Sequence, residues 1–200
     1  MAAHITINAV PLIGELVVPA MAHLAGAMPG LRVTYRSELG FARLNDGRTI
    51  GIRAGAAPCA RSMVVRPLGR IGVALVATQD YIDRMGMPAG PGDLGRHDFA
   101  SHDFAEGFTP WSRWLLSHVP QPRVLFRSND ETVLRQAIRS GRWAGFLPLS
   151  SLIWSTGLIE ILPALDEWAV TLWLVHAPDA TAECRQAGQM LADIMARQLA

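Results

Sequence analysis

Two His-Asp pairs are the residues in this sequence best suited to chemistry: His97 with Asp98, and His102 with Asp103. An imidazole and a carboxylate together can bind zinc or transfer a proton. A zinc site needs three or four ligands, and no third strong ligand lies near these pairs along the chain. We therefore predict that the protein binds no metal.

Common catalytic and cofactor-binding motifs are missing from the sequence. It contains no Gly-x-Ser-x-Gly elbow, phosphate-binding loop, dinucleotide fingerprint or HExxH motif. No spacing pairs a nucleophile with a base. We predict that the chain is not an enzyme and needs no cofactor, although a ligand-binding fold does not by itself exclude catalysis.

Composition indicates a compact globular protein that does not itself bind DNA. Of 200 residues, 50% are hydrophobic and 18% are charged, and the net charge of +1 offers no basic surface for phosphates. Two distant cysteines, Cys59 and Cys184, argue against a disulfide framework. The first residues do not resemble a signal peptide, and no apolar run is long enough to span a membrane. These features predict a cytoplasmic protein.

Apolar runs alternate with helical stretches, which is typical of an α/β fold. The pattern predicts strands at His4–Asn8, Leu31–Ser37, Thr49–Arg53, Met63–Leu68, Ile71–Thr78, Phe99–Ser101, Arg123–Arg127, Trp143–Leu147 and Val170–His176. Helices are predicted at Leu12–Met28, at Glu131–Ser140 and from Asp179 to the end. The glycines and prolines between Gly86 and Gly95 predict an irregular loop.

The helix predicted at Leu12–Met28 is apolar on nearly every face, since Glu15 and His23 are its only strongly polar residues. One face must cover the sheet, and a second apolar face often contacts a partner subunit. We predict a homodimer or tetramer through Val17, Met21 and Leu24. The alternative is that a second lobe or the C-terminal helix covers this face.

Five segments in unbroken order resemble the effector-binding domain of LysR-type transcription regulators. They are GELVVPAMAHLAGAMPGLRV, NDGRTIGIRAG, LGRIGVALVATQDYIDRMGMPAGPGDLGRHDFASHD, VLFRSNDETVLRQAIRSGRWAGFLP and TLWLVHAP. Each motif alone is weak, and the ordered set carries the resemblance. Thr49 stands where that family commonly has Asp, and Arg142-Trp143 replaces its usual Leu-Gly. The family's winged helix-turn-helix is not part of this sequence, which fits either a fragment or a natural truncated relative.

The resemblance implies the fold of type 2 periplasmic binding proteins, with two Rossmann-like α/β lobes joined by a two-strand hinge. Lobe one would comprise residues 1–77 and 172–200, and lobe two residues 78–171, with hinge strands at Val76–Thr78 and Thr171–Trp173. The implied function is to bind a small, possibly anionic, effector between the lobes. Effector binding would then control DNA binding by a domain outside this sequence.

Ligands of such folds lie at the carboxyl ends of strands and at helix N-termini, where free N–H groups favour anions. Ser128, Asn129 and Asp130 also offer oxygens that could cap the following helix. The charge of Asp130 at that helix start disfavours an anion. The predicted ligand contacts are Val10, Pro11, Leu12 and Ser37 in lobe one, and Ser101, His102, Ser128, Asn129 and Phe146 in lobe two.

Two other functions share this fold and remain open. An extracytoplasmic solute-binding protein would have the same cleft, but the sequence shows no signal peptide. A stand-alone ligand sensor that pairs with full-length regulators cannot be separated from a regulator fragment by sequence.

Overall fold

The chain forms two compact units in a computed structural model that describes residues 3–38, 44, 46–59, 62–103, 109–120 and 123–199. Unit 1 comprises Met1–Ile71 and Val170–Ala200, and unit 2 comprises Gly72–Ala169. The chain therefore crosses from one unit to the other on either side of Gly72–Ala169. These borders lie N-terminal to those predicted from the sequence at 77/78 and 171/172.

Strands and helices alternate along much of the chain, as the sequence pattern predicts. In chain order the elements are β1 (His4–Ala9), α1 (Gly14–Ala27), β2 (Arg32–Ser37), β3 (Thr49–Ala54), β4 (Val64–Ile71), β5 (Val73–Thr78), α2 (Gln79–Met85), β6 (Phe99–His102), α3 (Pro110–His118), β7 (Val124–Ser128), α4 (Glu131–Arg139), β8 (Gly145–Pro148), α5 (Leu149–Trp154), β9 (Leu158–Leu162), β10 (Val170–His176) and α6 (Ala182–Gln198). Short 3-10 helices lie at Pro11–Ile13, Pro91–Arg96 and Asp166–Trp168.

Unit 1 is built on a mixed sheet whose described strands run in the order β2-β1-β3-β10-β4. Strands β2, β1 and β3 are parallel, and β10 is antiparallel to both of its neighbours. Ile5, Ile7, Ile50 and Ile52 are fully or almost fully buried. The carboxyl ends of the three parallel strands therefore lie along one edge of this sheet.

Helix α1 packs against α6 within unit 1, so the C-terminal helix covers part of the apolar surface of α1. Val17 and Leu24 are fully buried in the unit, and their predicted place in a subunit interface is therefore wrong. Their i, i+7 spacing puts them on the core side of the helix. Met21 is half-buried, and its neighbour Val18 is 55% exposed.

Unit 2 has a sheet with strand order β8-β5-β9 and a parallel pair, β6-β7. A parallel bridge between Phe99 and Ala144 joins the pair to the segment that leads into β8. The amide of Ala100 donates to the Ala144 carbonyl, and the Ala144 amide donates to the carbonyl of Asp98. These bonds place the carboxyl ends of β6 and β7 beside the strand that leads into β8.

Helix α4 covers one side of these strands with an apolar stripe. Leu134 and Ile138 on α4 are buried in a cluster with Ala100 on β6 and Leu147 on β8. The opposite side is aromatic: Trp114 lies 4.9 Å from Trp168, centroid to centroid, and Phe146 lies 4.9 Å from the same ring. The two packed faces hold the ends of β6 and β7 in place.

The structure departs from the sequence prediction at several elements, three of which help to build unit 2. The apolar run Ile71–Thr78 is broken at Gly72, where a Cβ would lie 2.6 Å from Leu149 Cδ1 and the Gly72 carbonyl accepts from the Leu149 amide. Strand β9 was not predicted, because Glu160 interrupts its apolar run. The predicted loop Gly86–Gly95 contains the start of the 3-10 helix Pro91–Arg96.

The segments predicted as hinge strands lie inside sheets. Val76 in β5 pairs with β8 on one side and β9 on the other. Leu172 in β10 pairs with β3 and with β4. The two units divide a few residues away, at Ile71/Gly72 and Ala169/Val170, and the hinge positions stay a prediction.

Within the part of the chain that the structure describes, no helix has both the length and the apolar composition needed to cross a membrane.

Candidate functional site

The carboxyl ends of β6 and β7 bring together polar residues that the sequence predicted as ligand contacts. The strands are parallel, with His102 in register with Ser128 and Ser101 in register with Arg127. The amide of Asp103 donates to the Ser128 carbonyl at 3.0 Å, which extends the pairing past the end of β6. Carboxyl ends of parallel strands are where α/β proteins bind ligands, so this edge is the candidate site.

Asp130 is the N-cap of α4, one of the three residues, Ser128, Asn129 and Asp130, whose oxygens the sequence offered for this role. Its Oδ1 atom accepts hydrogen bonds from the amides of Thr132 at 2.7 Å and Val133 at 3.2 Å. The hydroxyl oxygen of Ser128 accepts from the Asp130 amide instead, and Asn129 is exposed. Because the protein's own carboxylate takes these N–H groups, the start of α4 is not an open anion site.

The sequence pattern did not indicate the buried carboxylate that contacts His102. The Nε2 atom of His102 lies 3.1 Å from Oε2 of Glu131, and both side chains are mostly buried. Glu131 is the first residue of α4 and is only 4% exposed. Its spacing from Leu134 and Ile138, at i+3 and i+7, was the signal that places it on the apolar face.

Ser101 and His102 do not point to the same place. Successive side chains of a strand point to opposite faces, and Ala100, two residues before His102, packs against α4. His102 shares that face, where it meets Glu131. Ser101 is on the other face, so its predicted ligand contact does not belong to the cluster of His102, Ser128 and Glu131.

Phe146 belongs to the core of unit 2 rather than to an exposed wall. Its ring lies 6.2 Å from Trp114 and 4.9 Å from Trp168, centroid to centroid, with edge-to-face geometry at both. The residue is 9% exposed, which leaves little surface for a ligand. The aromatic partners come from distant segments, which is why the sequence suggested a free apolar wall.

The predicted contacts in unit 1 lie where β1 leads into α1. Val10 precedes the 3-10 helix Pro11–Ile13. Among the described residues, no side chain caps the start of this helix or of α1. The Val10 amide donates to the Ile52 carbonyl at 3.2 Å and is already used. Pro11 and Leu12 are half-buried, and their contact with a ligand stays a prediction.

A buried polar chain lies at the carboxyl ends of the parallel strands of unit 1. Arg53 donates through Nη1 to the Asn8 carbonyl at 2.7 Å and through Nη2 to Asn8 Oδ1 at 2.6 Å. Asn8 Nδ2 in turn donates to Glu38 Oε2 at 2.7 Å. Burial lowers the pKa of Arg53, and the nearby Glu38 carboxylate opposes that shift. This network fixes the end of β1, next to the predicted contacts; Ser37, the last residue of β2, is exposed.

The first His-Asp pair has a structural role in unit 2. His97 Nδ1 lies 3.1 Å from the Tyr81 hydroxyl, which also accepts from the Asp98 amide at 3.1 Å. The Asp98 carboxylate pairs with Arg123 at 3.0 Å and with Arg142 at 3.1 Å. Burial lowers the pKa of His97 and raises that of Tyr81 to about 12. The unusual Arg142 thus serves, together with Arg123, as a partner for a buried carboxylate.

The described residues contain no cluster of side chains suited to bind a metal ion. None of their His, Cys, Asp and Glu side chains form a group of three that could hold a metal ion. His97 and His102 face different partners, Tyr81 and Glu131. The two His-Asp pairs of the sequence therefore do not act as one set of ligands.

Comparison with known proteins gives one family and one fold. The model of the LysR substrate-binding domain matches residues 1–195. The chain is similar to the CrgA regulatory domain, a LysR-type regulator from Neisseria meningitidis, with 18% identity, full coverage of both chains and a TM-score of 0.79. It is also similar to the AphB regulatory domain of Vibrio vulnificus, with 18% identity, 96% and 100% coverage and a TM-score of 0.73.

Full-length AphB of Vibrio cholerae, a virulence activator, matches with 17% identity and a TM-score of 0.68, over 97% of this chain and 68% of the AphB chain. A search of curated protein sequences gave no match. At these identities, the structural matches establish the fold: a two-lobed α/β fold like that of periplasmic binding proteins.

Proposed function

We propose a function that proceeds from one premise: this chain belongs to the family of LysR substrate-binding domains. It is the effector-binding module of a LysR-type transcription regulator. In our proposal it binds a small metabolite and so controls DNA binding by a separate domain, in the cytoplasm and without catalysis. A solute-binding protein of transport is not favoured, because the family match is to a regulator domain.

One observation carries the proposal of effector binding. His102, Ser128 and Glu131 meet at the carboxyl ends of β6 and β7, where their packing on α4 leaves polar groups buried at a sheet edge. Buried polar groups cost free energy unless they are satisfied, and binding sites retain them for recognition. In unit 1 we keep Val10, Pro11, Leu12 and Ser37 as proposed contacts.

Regulators of this kind respond when an effector binds one conformation more tightly than another. We propose that effector binding changes the arrangement of the two units and thereby the orientation of the DNA-binding domain. The required differential affinity makes this testable: a ligand with equal affinity for both arrangements would shift nothing.

We also propose that the chain assembles as a homodimer or tetramer through α1. The support is the apolar residue Val18, 55% exposed, beside the half-buried Met21. Val17 and Leu24 are not part of this surface because they lie in the core of unit 1.

Thermal-shift screening against aromatic acids, amino acids and sugar acids tests effector binding. A ligand at a hundred times its dissociation constant stabilises the folded state by about 2.7 kcal/mol. For a domain of this size each kcal/mol raises Tm by about 2 to 4 °C, so the expected rise is about 5 to 11 °C. A broad library in which no compound raises Tm in a concentration-dependent way would contradict the proposal.

A further inference from the structure

Glu131 is the most deeply buried carboxylate at the candidate site. Only 4% of the residue is exposed, and it shares the apolar face of α4 with Leu134 and Ile138. Its neighbour Asp130 is exposed and caps the helix. A carboxylate at such a position loses much of its hydration, and this cost must be compensated by hydrogen-bond donors or cations.

The two carboxylate oxygens of Glu131 have different surroundings. Oε2 lies 3.1 Å from His102 Nε2. Oε1 is buried and has no hydrogen-bond partner among the residues that the structure describes. Buried polar atoms of proteins are almost always paired, so an acceptor with no partner among the described residues, at a ligand-binding edge, is suited to a donor from a bound molecule.

The charges around Oε1 select the kind of group that binds there. Asp130 and Glu131 place two carboxylates at the start of α4, and the Thr132 and Val133 amides already donate to Asp130. An anionic group would meet two negative charges and no free N–H at these positions. A hydrogen-bond donor would meet a desolvated acceptor, and hydrogen bonds to ionised acceptors are about twice as strong as neutral ones.

We propose that Glu131 recognises the effector by accepting a hydrogen bond through Oε1 from an N–H or O–H group, so that the effector is an amino or hydroxy compound. This inference rests on the proposed effector-binding function and names the class of its ligand. His102 is a positioning residue, because its bond to Oε2 fixes the rotamer of the carboxylate. The effector predicted from the sequence as possibly anionic thus also carries a donor group.

Discrimination by such a site is large. A site built to bond an N–H or O–H rejects the analogue that lacks it, because a buried polar group is then left unpaired. We expect affinities at least tenfold higher for a donor-bearing compound than for its parent.

Two matched series serve as probes: propanoate, lactate and alanine; and benzoate, 4-hydroxybenzoate and 4-aminobenzoate. Dissociation constants are measured by calorimetry and Tm by scanning fluorimetry for the whole chain, for Glu131→Gln and for the control Glu167→Gln. Glu167 is an exposed glutamate of unit 2, outside the site. The amide introduced by Glu131→Gln keeps an acceptor oxygen for His102 and removes the charge.

The expected result is that a hydroxy or amino compound binds the unaltered chain at least tenfold more tightly than its parent acid. Glu131→Gln should reduce that preference at least tenfold, while Glu167→Gln retains it. Without ligand, the Tm of Glu131→Gln should stay within about 2 °C of the unaltered chain, because Oε1 has no partner to lose among the described residues.

Each contrary result overturns a defined part of the reasoning. Parent acids that bind the unaltered chain as tightly as their derivatives refute the inference while effector binding stands, and this comparison needs no variant. An unchanged preference in Glu131→Gln, or a fall in its ligand-free Tm of more than about 5 °C, assigns Glu131 to the framework and also refutes it. Failure of every probe, and of the screened library, refutes the proposed function and the inference together.

Discussion

Substitution of Gly145 by alanine should show that a single missing Cβ lets α4 approach the sheet of unit 2. Gly145 opens β8, opposite α4. A Cβ built there lies 2.6 Å from Ile138 Cδ1 and 2.9 Å from the carbonyl oxygen of Ala100, whereas ordinary contacts begin at 3.4 Å. These distances are about 0.8 Å and 0.5 Å shorter than an ordinary contact. The second involves a backbone oxygen, which cannot move aside as a side chain can.

The expected cost follows from these distances. Overpacking a filled core costs about 1 to 3 kcal/mol, and the lower chain entropy of alanine in the unfolded state offsets about 0.4 to 1 kcal/mol. We expect Gly145→Ala to lower the free energy of unfolding by about 1 to 2 kcal/mol. The corresponding fall in Tm is about 2 to 8 °C.

A double-mutant cycle with Ile138→Val isolates the steric cause. Alone, Ile138→Val should cost about 0.5 to 1.5 kcal/mol, but it removes the Cδ1 atom that the new Cβ meets. The cost of the double variant should therefore be smaller than the sum of the two single costs. The contacts of the new Cβ with the Ala100 carbonyl oxygen and with the Cγ1 atom that valine retains at position 138 remain.

Urea unfolding followed by tryptophan fluorescence gives the four free energies. Gly95→Ala is the control in unit 2, because nothing lies within 4 Å of a Cβ at that position. Strictly additive costs in the cycle, or a Gly145→Ala variant as stable as Gly95→Ala, would refute the packing argument. The same result would remove the reason given for the close approach of α4 to β6.

Two further predictions concern acid stability and assembly. Burial lowers the pKa of His97, so the unfolded chain binds a proton more tightly than the folded one, and stability present above about pH 6.5 is lost as the pH falls through the folded pKa. Urea unfolding at pH 7.5 and 5.5 should show a smaller loss for His97→Gln, and an equal loss in both proteins would contradict the burial of the ring against Tyr81. If α1 forms the subunit interface, Val18→Glu or Met21→Glu should halve the mass measured by light scattering with an unchanged circular dichroism spectrum. Val17→Glu should unfold the chain instead, and an unaltered chain that is monomeric at high concentration would rule out the interface.

Local sequence pattern was sufficient for most of the elements. The strands β1, β2, β3 and β10 and the helices α1, α4 and α6 follow from alternating or helical spacing of apolar residues, within a few residues of the observed ends. Strand β9 was missed because Glu160 breaks its apolar run, and Glu160 instead accepts a hydrogen bond from the Ala164 amide. Ordered motifs then indicated the family, which the match over residues 1–195 confirms.

The candidate site was predicted in part. Strand ends and helix starts can be located from the sequence, so His102 and Ser128 were found as neighbours of one edge. Glu131 was missed because a glutamate in the first helical turn usually faces solvent, where it interacts with the helix dipole. Phe146 was misplaced because its partners, Trp114 and Trp168, lie far from it along the chain.

By itself the sequence determined the α/β class, the order of strands and helices and the family, because these depend on the spacing of residues close together in the chain. Tertiary structure alone decided which side chains meet: α1 with α6, Asp98 with Arg123 and Arg142, and His102 with Glu131. Each of these contacts joins segments whose local patterns are compatible with many partners. Only the packing of both segments against a common core selects one of them.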